Sequence, residues 1–139
     1  MKKSDAQVRD FTSKIVFASK ELTAKERIML KDTSDARKID EELESADALL
    51  INPDWYAQLE VHNEKSKMKD KDYTQYIIVD KDGTRYLTGS ESFWKQFRDI
   101  LDEIEEAEEA GEKIDWSLKA FRKESSNFEG KYFITCSII

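Results

Sequence analysis

Tyr73–Ala110 reads YTQYIIVDKDGTRYLTGSESFWKQFRDILDEIEEAEEA, and its change of period decides the fold. Tyr73–Val79 and Thr84–Thr88 are rich in β-branched and aromatic residues, the types that suit a pleated surface. Between them stands Asp80-Lys81-Asp82-Gly83, whose Asp-Gly pair supplies the positive φ of a tight hairpin. From Glu91 the period lengthens. Phe93, Phe97, Ile100, Leu101, Ile104 and Ala107 recur at helical spacing, giving one apolar stripe on an otherwise acidic helix over Glu91–Ala110. Ser90 or Ser92 suits its start and Gly111 its end.

Upstream, Asp54–His62 (DWYAQLEVH) alternates cleanly. Trp55, Ala57, Leu59 and Val61 point one way, and Tyr56, Gln58, Glu60 and His62 the other, as in a half-buried strand. Leu49–Ile51 is a short apolar run stopped by Asn52-Pro53, a turn signal. Phe11–Ala18 and the weaker Glu26–Lys31 are expected to be strands, and Asp32–Ser45 a short helix capped by Thr33 or Ser34, with a loop as the alternative. Asn63–Asp72 is a lysine-rich polar loop. Downstream, Asp115–Lys123 and Lys131–Ile139 are strands joined by a turn at Ser125–Gly130. The expected architecture is a single β-rich α+β domain over 1–139 with one long amphipathic helix.

The 139 residues suffice for one core without staples. Cys136 is the single cysteine, so no internal disulfide can form, which fits a reducing compartment such as the cytoplasm. MKKSDAQVRD is followed by no apolar run, so no signal peptide is read, and no segment approaches a membrane span. The formal net charge of −7 is unevenly spread. Ile39–Glu64 carries eight acids and no lysine or arginine, and Glu91–Asp115 carries ten acids against three bases; the three remaining segments are each net basic. A ligand responds to the local field, so net acidity does not exclude nucleic acid.

Chemistry-bearing motifs are sparse. The four glycines fit neither a P-loop nor a dinucleotide fingerprint, and one cysteine with one histidine cannot make a zinc site. A Cys136–His62 nucleophile and base is conceivable, but Cys136 lies between Ile134 and Ile138 on an apolar strand face, where a buried inert thiol is ordinary. Asp80-Lys81-Asp82-Gly83 lacks the later ligands of a calcium loop, and the carboxylates of Asp102–Glu109 suit the solvated side of a helix. No cofactor, metal or enzymatic activity is expected. The last two strands hold the more informative constellation. With Trp116, Leu118 and Ala120 inward, Ser117, Lys119, Phe121 and Lys123 face out; with Ile134, Cys136 and Ile138 inward, Lys131, Phe133, Thr135 and Ser137 face out. Rings among lysines can stack on bases while the cations follow phosphates. Pattern alone favours the plainer reading, in which these rings pack beneath the long helix or the N-terminal strands.

Three stretches within Val79–Ile139 carry a family resemblance. Asp82-Gly83-Thr84-Arg85-Tyr86 is followed by Ser90-Glu91-Ser92-Phe93, then by the helix with Phe97, Ile100 and Leu101, then by Ser125–Phe133 running into Thr-Cys-Ser-Ile-Ile. In this order the chain resembles the small single-stranded-DNA-binding proteins of tailed bacteriophages that infect Gram-positive bacteria. The resemblance implies an OB-like five-stranded barrel with the helix between strands three and four: residues 54–139 as its core and 1–48 as an N-terminal extension. It implies a non-catalytic protein of phage replication or recombination in the cytoplasm of the bacterial host, coating single-stranded DNA without sequence preference. Partners would be the DNA and replication or recombination proteins, with room for a homo-oligomer and none for a membrane. On this reading Lys65, Lys67, Lys69, Lys71, Arg85, Lys119, Lys123 and Lys131 track phosphates, and Tyr56, Tyr73, Tyr76, Tyr86, Phe121, Phe128 and Phe133 supply stacking surfaces. The rival is an acidic protein-interaction module, such as a phage inhibitor of a host factor, which predicts the opposite potential at the working surface.

Overall fold

A computed structural model describes residues 11–65, 71–126 and 130–139. Its elements run β1 (Phe11–Ala18), α1 (Ala24–Lys31), β2 (Arg37–Lys38), α2 (Ile39–Glu42), β3 (Ala48–Ile51), β4 (Pro53–Asn63), β5 (Asp72–Asp80), β6 (Arg85–Thr88), α3 (Glu91–Glu109), β7 (Leu118–Glu124) and β8 (Tyr132–Ile138). The fold is a β-rich α+β arrangement of two sheets. One has the order β1-β4-β5-β6-β2, antiparallel except where β2 lies parallel to β6; the other has the order β3-β7-β8.

A single residue, Asn52, separates β3 from β4, so one nearly continuous segment serves both sheets. The corner is locked from the β5–β6 hairpin. The Asn52 N–H donates to Asp80 Oδ2 at 2.8 Å, the Lys81 N–H donates to the Asn52 carbonyl at 2.9 Å, and Asp80 Oδ1 accepts from the Asp82 N–H at 3.0 Å. Pro53 opens β4, where a missing N–H is tolerated, and the β4–β5 register slips between Pro53 and Trp55. The Asp-Gly turn forms as expected, with Gly83 at φ 91°.

The large sheet is covered on both faces because period two sends its apolar residues in two directions. Ala57, Leu59, Val61, Ile77, Val79 and Leu87 pack with Leu30 of α1 and with Ile15, Leu22 and Trp55. Tyr56, Tyr76, Ile78 and Tyr86 emerge on the opposite face. There they meet Phe93, Trp94 and Phe97 of α3, Ile39 and Leu43 from α2 and its C-cap, and Leu118, Ala120, Ile134 and Cys136 of the small sheet. β4 keeps the half-buried character its alternation predicts, with Ala57, Leu59 and Val61 buried and Gln58, Glu60 and His62 open on the other face, and only Tyr56 of that second face is drawn under α3. Trp94, which the apolar stripe of the sequence omitted, joins the helix's buried face and stacks on Tyr76 with ring centroids 4.7 Å apart.

Two N-terminal expectations are corrected. Glu26–Lys31 belongs to a helix, not a strand. Thr23 Oγ1 accepts from the Glu26 N–H at 3.1 Å and Glu26 Oε1 accepts from the Thr23 N–H at 2.9 Å, a complete capping box. The Thr23-x-x-Glu26 signal outweighs the short apolar run behind it. Asp32–Ser45 is helical only at Ile39–Glu42. Asp32 accepts from the Ser34 N–H and hydroxyl, making a turn, and Arg37–Lys38 pair with β6, so the expected first turns find other hydrogen bonds.

The fold also differs from a closed barrel. β2 occupies the outer edge of β6, so that edge is not free to receive β8, and α3 packs along β8 instead. Ser92 Oγ donates to the Ile134 carbonyl at 3.0 Å and Cys136 Sγ to the Phe93 carbonyl at 3.8 Å, tying the helix start to the strand. The start of α3 is capped by Ser90, which accepts from the Phe93 N–H, and Gly111 follows its end at φ 92°.

Candidate nucleic-acid interface

The fifteen residues expected to touch nucleic acid do not converge on one surface. Tyr56, Tyr76 and Tyr86 are corrected most plainly: their rings face α3, not solvent. Tyr76 and Tyr86 keep 8% and 6% of their surface exposed. Tyr56 is half-buried, with Phe97 edge-on at 5.3 Å and Trp94 at 5.7 Å, and with Arg98 above its ring and that of Phe17. Loss of solvent raises the hydroxyl pKa of all three tyrosines. None offers an open ring face to a base. The alternation of the strands holds, but at these three tyrosines a second layer covers the side that alternation alone leaves to solvent.

Arg85 is likewise engaged. Its Nη1 donates to the carbonyl of Met29 and, at 2.6 Å, to that of Asp32, closing the C-terminal end of α1. It clamps α1 to the large sheet and is not poised for phosphate. Tyr73 is 37% exposed, but it shares the face of β5 that carries Ile77, the side away from α3. Lys65 and Lys71 flank the β4–β5 connection, where the Asn63 N–H donates to the Lys71 carbonyl at 2.8 Å. Lys67, Lys69 and Phe128 lie outside the described residues.

Five expected residues remain together, on or beside the outer face of the small sheet. Leu118, Ala120, Ile134 and Cys136 turn into the core, each at most 8% exposed. Period two then sends Lys119, Phe121 and Lys123 of β7 and Phe133, Thr135 and Ser137 of β8 to the other side. Register fixes their neighbours: Phe133 lies opposite Lys123, Phe121 opposite Thr135, and Lys119 opposite Ser137. Lys119 Nζ sits 5.5 Å from the centroid of the Phe121 ring, a cation–π contact. Lys131 is exposed immediately before β8. The pairing of β3 adds two members the sequence reading missed, since Ala48 lies opposite Phe121 and Leu50 opposite Lys119. Leu50 is 55% exposed and would have been found only with the β3–β7 register in hand. Among the described residues of these three strands, no outward position holds a carboxylate. At the strand ends Arg122 lies over the ring of exposed Tyr132 at 5.8 Å; both, with Glu124, have the phase of the inner face and do not belong to this outer surface.

The Cys136–His62 pair does not form. Burial pushes the Cys136 thiol up to about 12, and its Sγ contacts the Phe93 carbonyl. Both His62 ring nitrogens are taken elsewhere: Nδ1 lies 2.6 Å from Asp72 Oδ1, and Nε2 2.5 Å from Glu64 Oε2. The described residues hold no cluster of histidine, cysteine, aspartate or glutamate suited to a metal ion, and no described helix is long and apolar enough to cross a membrane. The chain matches no family model, no curated protein and no solved structure.

Proposed function

We propose that the protein binds single-stranded DNA without catalysis and without sequence preference, in phage replication or recombination, through the outer face of β3, β7 and β8. The observation that carries this reading is the composition of that face: Phe121 and Phe133 beside Lys119 and Lys123, with no acid at an outward strand position. Stacking on a ring contributes roughly 1–3 kcal/mol per base and tolerates any base, while each lysine tracks a phosphate. Phe121 and Phe133 are diagonal neighbours across the strands, about 7–8 Å apart at the backbone, close enough to serve successive nucleotides.

The acids are segregated from this face. Those of α3 lie on the solvent side of a helix packed against the inner face of the same sheet. A strand bound on the outer face would have the carboxylates of α3 behind the sheet and, among the described residues, none at an outward position of the three strands. The chain path also supports an OB-type reading, with β3 and β4 acting as one bent strand shared by both sheets, followed by β5, β6, α3, β7 and β8. Here α3 and β2 stand where hydrogen bonds between β6 and β8 would close such a barrel.

The direct test is fluorescence anisotropy of labelled oligo-dT at low salt, with wild type and Phe133→Ala. Phe133 is 37% exposed, so its loss leaves the core intact. Binding by wild type and a drop of about tenfold in the variant are expected. No binding at low salt, or equal binding by both proteins, rejects the interface.

A further inference from the structure

The inner face of the small sheet is not covered to its end. Along β8, Ile134 and Cys136 are 8% and 2% exposed, but Ile138, which shares their phase, is 44% exposed. Above it α3 leaves a groove of about 430 Å³ whose apolar lining is Ile100, Ile104, Ile114 and Ile138. Asp99 and Glu103, one helical turn apart, rim it from α3, and no lysine or arginine lines it. The rim continues into a helix whose last turn holds no basic residue.

We propose that this groove docks an apolar segment of a partner protein, flanked by lysine or arginine. Charge complementarity selects that occupant. Isoleucine side chains supply the anchor, and Asp99 and Glu103 supply ion pairs at the edge, the arrangement of an apolar centre with a polar rim. A second copy of this chain is a poor occupant, because closing two grooves on each other would bring two acidic α3 helices together in a chain of net charge −7. The groove is independent of the proposed DNA face: Ile138 lies on the inner phase of β8 and Phe133 on the outer, so the two surfaces can be filled at once. A protein holding DNA on one side of a sheet and a basic partner on the other would link the two.

The test uses a synthetic amphipathic leucine–lysine peptide against the full chain, followed by isoleucine methyl NMR. Shifts confined to Ile100, Ile104, Ile114 and Ile138 are expected. Ile138→Ser should weaken binding by about tenfold, the effect of losing a central anchor, and Glu103→Gln by about threefold. Glu109→Gln removes the same charge elsewhere on α3 and should change affinity by less than about twofold. Oligo-dT binding by Ile138→Ser should match wild type, separating this site from the DNA face. The proposal is overturned by equal shifts at isoleucines outside the groove such as Ile15 and Ile28, by equal effects of Glu103→Gln and Glu109→Gln, by equal binding of a leucine–glutamate peptide, or by a dimer that Ile138→Ser dissolves.

Discussion

Replacing Asp80 by alanine should unfasten the corner on which the two sheets meet. Asp80 is 6% exposed and its carboxylate accepts two main-chain N–H groups, from Asn52 at 2.8 Å and from Asp82 at 3.0 Å. A hydrogen bond to a charged group contributes about 1.5–3 kcal/mol, and a donor left without a partner costs about 1–3 kcal/mol where water cannot reach it. Asn52 and Asp82 are both exposed residues, so each amide regains some water and the loss stays at the low end for two such bonds. The expected destabilisation is about 3 kcal/mol. With an unfolding entropy of about 2.1 cal/mol/K per residue over 139 residues, that lowers Tm by roughly 10 °C. Asp80→Asn keeps the shape and one acceptor, and should lose about half as much. Urea and thermal unfolding of the three proteins measure both numbers, and amide exchange at Asn52 reports the released N–H directly. If Asp80→Ala unfolds within about 0.5 kcal/mol of wild type, or if the Asn52 amide stays protected in it, the corner is held by something else.

Three further outcomes follow from particular contacts. If Lys119 and Lys123 each neutralise a phosphate, Lys123→Gln should flatten the slope of log affinity against log salt by about 0.7; an unchanged slope removes Lys123 from the interface. Thr23→Ala should destabilise the protein by about 1 kcal/mol and Thr23→Ser by almost nothing, as measured in urea, because only the hydroxyl accepts from the Glu26 amide. His62 is held above its ordinary pKa, first by its hydrogen bond to Asp72 and then by that to Glu64. Its contribution to stability is therefore complete below about pH 6.5 and fades as pH rises through the folded-state value, so proton NMR should find His62 titrating above about 6.5, and a value at or below that refutes the clasp.

Much of the fold is legible in local pattern. The hairpin at Asp82-Gly83, the helix from Ser90 to Gly111 and the inward set Leu118, Ala120, Ile134 and Cys136 follow from turn chemistry and from periods of two and 3.6, which are properties of neighbouring residues. Thr23-x-x-Glu26 is an equally local signal, and its capping box outweighs the short apolar run behind it. The rest depends on which surfaces meet. Period two places Tyr56 on the side of its strand opposite Ala57, but only the docking of α3 makes that side interior. Arg85 has the chemistry of a phosphate ligand until the end of α1 arrives with two carbonyls. Leu50 joins Lys119 only through the β3–β7 register, and β6 loses its free edge only because Arg37–Lys38 return to pair with it. The sequence by itself determined the elements and the two directions of each strand. The tertiary structure decided which direction is solvent, because burial is fixed by segments far apart in the chain and local spacing carries no record of them.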